Sequence, residues 1–259
     1  MKEVVIEHRK VLVHADTHFP FQDQKILDLI YLFADWWKPD TIIHGGDLMD
    51  FYRLSKFSKD PSPPDMLDRE FEAARNHLKI LLLLAQEVHL IEGNHEARLN
   101  KYLNDCAPEL KSLTQAATGE VLLTVENILG LNEMGIEFIK MRGREAYKRY
   151  NDILVGHFNK VSKHSAYTAK ALVEDKGISI IQHHTHRGGV YYKTVIGGQL
   201  VGIENFCTCD IHPSYIQNPN WQQGFTCLFL DRNGKRFAAY PICIVDYKFI
   251  FGDKKFSLN

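Results

Sequence analysis

The sequence predicts an α/β protein whose chemistry gathers at the carboxyl ends of parallel strands. Three observations predict it. Strand-like and helix-like runs alternate through the first ninety or so of its 259 residues. A short polar motif follows each strand-like run there. Short apolar runs broken by Gly, Asn and Pro then fill residues 190–250, the pattern of an antiparallel β region.

Residues 10–15 read as a buried strand with Asp16 at its carboxyl end. Ile26, Leu27, Ile30, Tyr31, Phe33 and Ala34 recur at helical spacing, and Lys38-Pro39 stops the helix. Residues 40–44 form the next strand, leading into Gly45-Gly46-Asp47. Pro61, Pro63 and Pro64 mark a loop, and Asp65 is placed to cap a helix running to about Leu84. Residues 87–91 form a third strand, ended by Glu92-Gly93-Asn94-His95. This β-α-β-α-β order implies parallel pairing through right-handed crossovers, with functional groups at the carboxyl strand ends. Residues 99–117 read as mainly helical, 121–131 as weakly so, and 135–139 as a strand. The stretch 98–150 is therefore expected as a mainly helical insert, a lid or a substrate-choosing element. A strand at 153–155, Gly156-His157, a helix at 165–175, a strand at 178–182 and His183-His184-Thr185-His186 follow. With no repeat, low-complexity tract or linker, residues 1–259 are read as a single domain.

Composition narrows the function. The formal net charge of −1 provides no global field to draw the chain onto nucleic acid or an anionic membrane. Five cysteines, odd in number and without a framework, favour a reducing compartment. The acid Glu3 interrupts any signal core at the amino terminus, and the apolar run 80–85 is far too short for a bilayer. A soluble, cytoplasmic protein is expected.

The chemistry lies in five ordered motifs: Asp16-Thr17-His18, Gly46-Asp47, Gly93-Asn94-His95-Glu96, Gly156-His157 and His184-Thr185-His186. Carboxylate, amide and imidazole donors together suit Mn²⁺, Fe²⁺ or Zn²⁺. Residues two apart on a strand face one way, so Asp16 with His18, and His184 with His186, are spaced to approach one cluster. Asp47, on a turn, suits a carboxylate bridging two ions, and Asn94 suits a weak neutral ligand that leaves its ion electrophilic. A water bridging two ions becomes hydroxide near neutral pH and would attack phosphorus in line. His95, beside a ligand, is placed to stabilise the phosphoryl group or protonate the leaving oxygen. Arg98 and Arg187 flank motif residues and are candidates to hold a non-scissile phosphate oxygen.

In order and content these five blocks resemble the calcineurin-like metallophosphoesterase superfamily. The resemblance implies a four-layer α/β/β/α sandwich of two mixed sheets flanked by helices. It implies two divalent ions, with Mn²⁺ favoured and Fe, Zn or Ni as alternatives. Asp16, His18 and His186 would bind the first ion, Asn94, His157 and His184 the second. Asp47 would bridge them and His95 would be catalytic. His183 stands where the family's fifth block has glycine, so it competes with His184 as a ligand. The arginine of the Ser/Thr phosphatase motif Gly-Asp-x-x-Asp-Arg-Gly is missing after Asp50. Gly93-Asn94-His95-Glu96 with Arg98, and Trp221-Gln222-Gln223-Gly224-Phe225, are closer to prokaryotic and phage-encoded phosphoesterases.

Other signals have plainer readings. Asp210-Ile211-His212 repeats the Asp-x-His spacing but Pro213 follows, so it reads as a turn. Cys207-Thr208-Cys209 lacks a second pair and reads as packing. His14, His44 and His164 read as satisfied polar groups, and Trp36-Trp37 as core. The basic run 140–149 reads as a solvated surface, with a phosphate-tracking patch as the alternative. The expected function is a phosphodiesterase acting on nucleic acid or a nucleotide. The alternatives are a phosphomonoesterase acting on a nucleotide or small metabolite, and a non-catalytic metal-bound scaffold.

Overall fold

A computed structural model describes residues 8–55, 67–213, 218–231 and 236–258. The expected proline loop with its Asp65 cap, and the amino-terminal segment read for a signal, lie outside the described residues.

In chain order the elements are β1 (His8–His14), α1 (Gln24–Trp37), β2 (Thr41–His44), α2 (Leu67–Leu84), β3 (Glu87–Ile91), α3 (Ala97–Cys106), α4 (Val125–Leu129), α5 (Leu131–Met134), β4 (Glu137–Ile139), β5 (Glu145–Tyr150), β6 (Ile153–Phe158), α6 (Tyr167–Lys176), β7 (Ser179–Gln182), β8 (Gly188–Val195), β9 (Gly198–Asn205), β10 (Gln223–Asp231), β11 (Phe237–Ile244), β12 (Lys248–Phe251) and β13 (Lys254–Ser257). The first sheet runs β11-β10-β1-β2-β3-β4, with β1 to β4 mutually parallel and β10 returning antiparallel beside β1. The second runs β5-β6-β7-β9-β8, with a parallel centre and antiparallel edges. Two mixed sheets with helices outside them are the predicted sandwich.

Strand alternation builds the layers. Val11 and Val13 of β1, Ile43 of β2 and Ile91 of β3 pack with Val155, Ile181 and Ile203 of the second sheet. Leu12 and Ile42, one residue out of phase, join α1 and α2 on the opposite face. Leu154, Phe158 and Ile180 pack outward against Leu172 and Val173 of α6. Each such side chain contributes about 1.5–3 kcal/mol when fully buried. Local signals set the ends of α1. Asp23 accepts from the Lys25 and Ile26 N–H groups, and Lys38 closes the helix in the left-handed conformation, as the Lys38-Pro39 stop implies.

The stretch 98–150 holds α3, α4 and α5 together with β4 and β5, so its last part joins both sheets. Pro108 follows Ala107 directly, and α3 ends at Cys106 rather than continuing to 117. Half of the basic run 140–149 lies in the edge strand β5, and Lys140, Arg142, Arg144 and Arg149 are exposed, the solvated surface expected. Lys148 pairs with Glu137, Lys140 with Glu126 and Arg149 with Asp152, so three of its five cations face acids outside the run, while Lys176 takes up its one acid, Glu145. No helix among the described residues is long and apolar enough to cross a membrane.

Candidate metal centre

The motifs occupy the loops that leave β1, β2, β3 and β7, together with Gly156-His157 inside β6. Spacing within a strand is not what aligns them. Asp16, His18, Asp47, His184 and His186 all have left-handed backbone, with φ of 53°, 52°, 50°, 85° and 56°. Such conformations cost about 1–3 kcal/mol each in non-glycine residues and persist where surrounding bonds over-determine them. Here the Asp16 N–H donates to Gly46 O at 3.0 Å, and the Thr17 and His18 N–H groups both donate to Asp47 O at 3.0 Å. Gly93 is required by close approach, because a Cβ there would lie 2.1 Å from Asp47 Oδ1.

The side chains converge on Asp47. Its Oδ2 lies 3.4 Å from His157 Nε2, 3.8 Å from His18 Nε2 and 3.9 Å from His95 Nε2. On one side Asp16, His18 and His186 form a buried donor group, and on the other Asp47, His157 and His184 form a second. Asn94 Oδ1 lies 3.1 Å from His157 Nε2, and His18 Nε2 lies 3.1 Å from His186 Nε2. The first is a contact between acceptors. Nδ1–H of His157 donates to Gly45 O at 3.1 Å, and His18 Nδ1 faces the Asp50 carboxylate at 3.0 Å. Both Nε2 atoms therefore present lone pairs, that of His157 toward the Asn94 amide oxygen and that of His18 toward His186. A cation between His157 Nε2 and Asn94 Oδ1 relieves that repulsion, so the buried donor groups fit a divalent ion. Burial alone would raise the Asp47 carboxyl, but His157, His95, His18 and His184 outweigh it and hold it well below the ordinary range.

Two positioning acids escaped sequence reasoning. Asp50 contacts Nδ1 of both His18 and His95, at 3.0 and 3.3 Å, and its backbone carbonyl accepts from His95 Nδ1 and from Arg98, each at 2.8 Å. Its spacing, Gly46-Asp47-x-x-Asp50, was the available signal. Glu96 is buried and accepts from the Asp47, Met49 and Gly93 N–H groups at 2.9, 3.0 and 2.8 Å, clamping two motif loops together. For His95, burial disfavours protonation, but the Asp47 and Asp50 carboxylates prevail and hold it above the usual imidazole value.

His184 rather than His183 joins Asp47 and His157. The His183 ring is buried against Gly45, and its Nδ1 lies 3.5 Å from Asn205 Nδ2. Arg98 lies against the site, with Nη2 3.0 Å from His95 Nε2. Arg187 instead donates to Ser162 O at 2.7 Å. Cys207 and Cys209 are buried, as packing residues are, and lie beside His186, with Cys209 Sγ 3.8 Å from His186 Nδ1. Trp221 meets the same ring edge-on at 4.3 Å between centroids. Asp210 accepts from the His212 N–H at 2.8 Å, a local turn.

Residues 9–201 match the family profile described as calcineurin-like phosphoesterase. The chain belongs to this family. Its chemistry is metal-dependent hydrolysis of phosphoesters, and the clustered donors of this chain match that requirement. Among curated relatives, the Gene 54 protein of Mycobacterium phage D29 is 28% identical over 252 residues, covering 90% of this chain and 94% of that protein. The Gene 54 protein of Mycobacterium phage L5 is 27% identical over 250 residues, with the same coverage of both. Vacuolar Protein Sorting 29 from Cryptosporidium parvum shares the fold at a TM-score of 0.50 and 12% identity, covering 97% of this chain and 99% of that one.

Proposed function

We propose that this phosphoesterase is a dinuclear phosphodiesterase acting on nucleic-acid or nucleotide phosphodiesters. In this reading Asp16, His18 and His186 hold one ion, Asn94, His157 and His184 hold the other, and Asp47 serves both. The observation that carries it is the single Asp47 carboxylate standing between two imidazole groups, 3.8 Å from His18 and 3.4 Å from His157. Two divalent ions there, Mn²⁺ favoured over Fe, Zn or Ni, would supply an activated water and neutralise phosphoryl charge.

The chain's own residues supply the rest. His95 is the catalytic imidazole: Nδ1 is fixed on Asp50 O, which leaves Nε2 to carry a proton to the departing oxygen. The carboxylates that raise its pKa favour that protonated form. Arg98 is placed to release His95 Nε2 and hold a non-scissile phosphate oxygen. Its position supports that role better than the position of Arg187, whose guanidinium is engaged on Ser162 O. Asp50 positions both His18 and His95.

A cavity of about 700 Å³ supports a diester over a monoester. It starts at Asn94 and is lined by Arg53, Arg98, Lys101 and Tyr102, with Asp105 the acid among them. These groups provide cations for a flanking phosphate and a ring for a base, the pairing used for single-stranded nucleic acid. All five cysteines are free, which agrees with a reducing, cytoplasmic setting. A pure scaffold would have no use for a catalytic imidazole fixed on Asp50.

The test is hydrolysis of bis-p-nitrophenyl phosphate beside p-nitrophenyl phosphate, in Mn²⁺ and in chelator. A metal-dependent preference for the diester is expected. Preference for the monoester would replace this reading with a phosphomonoesterase.

A further inference from the structure

Three histidines meet on the helix side of the first sheet, behind the motif loops. His14 comes from β1, His44 from β2 and His77 from α2, and all are buried. They share the face of Leu12 and Ile42, which pack against α1 and α2. The rings meet edge to face, with centroids 4.9 Å apart for His14 and His44, 5.3 Å for His14 and His77, and 5.7 Å for His44 and His77. One ring nitrogen from each lies within 4.8 Å of the other two.

The hydrogen bonds sort the nitrogens into two sets. His44 Nε2 pairs with Thr17 Oγ1 at 2.8 Å, and His77 Nδ1 pairs with Tyr31 Oη at 2.5 Å. His44 Nδ1, His77 Nε2 and both nitrogens of His14 have no hydrogen-bond partner. Buried polar atoms are almost always bonded, and each orphan costs about 1–3 kcal/mol. Three such rings in an apolar layer are a poor way to fill a core. They are a suitable way to hold an ion. Two rings are oriented through one nitrogen by a hydroxyl, which leaves the other nitrogen as a ligand. Outer partners orient ligating histidines in metal sites in this way.

We propose that His14, His44 and His77 form a second metal site, separate from the Asp47 centre, that takes one borderline transition-metal ion such as Zn²⁺. Three neutral imidazoles suit that class of ion. Zn–N bonds of about 2.0–2.1 Å require the three nitrogens to close in from their present spread by rotation of the rings. The ion would tie β1, β2 and α2 together directly behind the catalytic turn. The link is Thr17, which bonds His44 through its hydroxyl and Asp47 O through its N–H.

The full chain is stripped with chelator, reloaded with Zn²⁺, desalted and assayed for zinc per chain, beside a His77→Phe variant. The expected result is one equivalent fewer in His77→Phe. Because the readout is a difference between two proteins, it holds whether or not the Asp47 centre fills. Equal zinc in both proteins overturns the site. Should His77→Phe fail to fold by circular dichroism, Tyr31→Phe carries the test. That variant is expected to weaken binding of one Zn²⁺ equivalent by ~10–100-fold, and an unchanged zinc titration overturns the proposal.

Discussion

Thr17 stands between two histidine-rich clusters that are built on opposite plans. The Asp47 centre is assembled mostly from loops, with His157 alone on a strand and five of its residues in left-handed backbone, and it mixes carboxylates with imidazoles. The His14–His44–His77 triad sits on two strands and a helix and contains no carboxylate. Loops present side chains at a cleft where substrate and water must arrive, and they accept the strain of doing so. Regular elements bury their side chains and hold them fixed. The difference teaches that a count of metal-compatible residues does not separate a reactive centre from a structural one; charge and backbone do.

Breaking the loop-built side should have the largest effect. Asp47→Ala removes the shared carboxylate and the acceptor of the His95 N–H at 2.9 Å. Phosphoesterase activity is expected to fall to the level seen in chelator, with loss of bound metal in the same preparation. His95→Ala should separate the two properties. Turnover drops by ~10²–10⁴-fold while metal content is retained, and wild-type turnover in this variant would remove His95 from the chemistry. Asp50→Asn acts through His18 and His95 rather than on substrate. A loss of ~10–100-fold in metal affinity or rate is expected, read as a shifted metal titration in an enzyme that still folds.

Two smaller changes sharpen the comparison by testing stability instead. Glu96→Gln places an amide group where three N–H donors converge on a carboxylate. It should cost about 1–3 kcal/mol, seen as a lower denaturation midpoint. Tyr31→Phe removes only the hydroxyl on His77. In metal-free protein it should cost about 1 kcal/mol and leave turnover within twofold; a tenfold loss would tie the triad to catalysis.

The same contrast explains what the sequence made visible. Contiguous motifs such as Gly93-Asn94-His95-Glu96 stand out because loops concentrate polar groups after apolar strands. The sandwich followed from the family resemblance that those blocks carry; the alternation of elements agrees with it but does not by itself establish two stacked sheets. His77 was invisible because it is one polar residue on an otherwise helical pattern, and its partners come from strands far away in sequence. β5 was missed because only Ala146 of its six residues is buried, so its alternation is weak. The left-handed turns were equally hidden. Asp16 and His18 do reach one cluster, but long-range bonds to the Asp47 loop bring them there, not the pleat of a strand.

β1 has one further consequence, for how the molecule is made. Its outer edge is covered by β10, with His8 opposite Asp231 and Val13 opposite Thr226. Leu228 and Leu230 of that late strand also complete the layer between the sheets. The segment shared with the family profile ends at residue 201, before β10 begins. During synthesis the first strand must therefore wait, with an open hydrogen-bonding edge and a half-built core, until residues 223–231 have emerged. Non-local pairing of this kind folds slowly and leaves an aggregation-prone edge in the interim. A protein truncated at 201 would keep every motif of the Asp47 centre and lose the strand that lets them assemble.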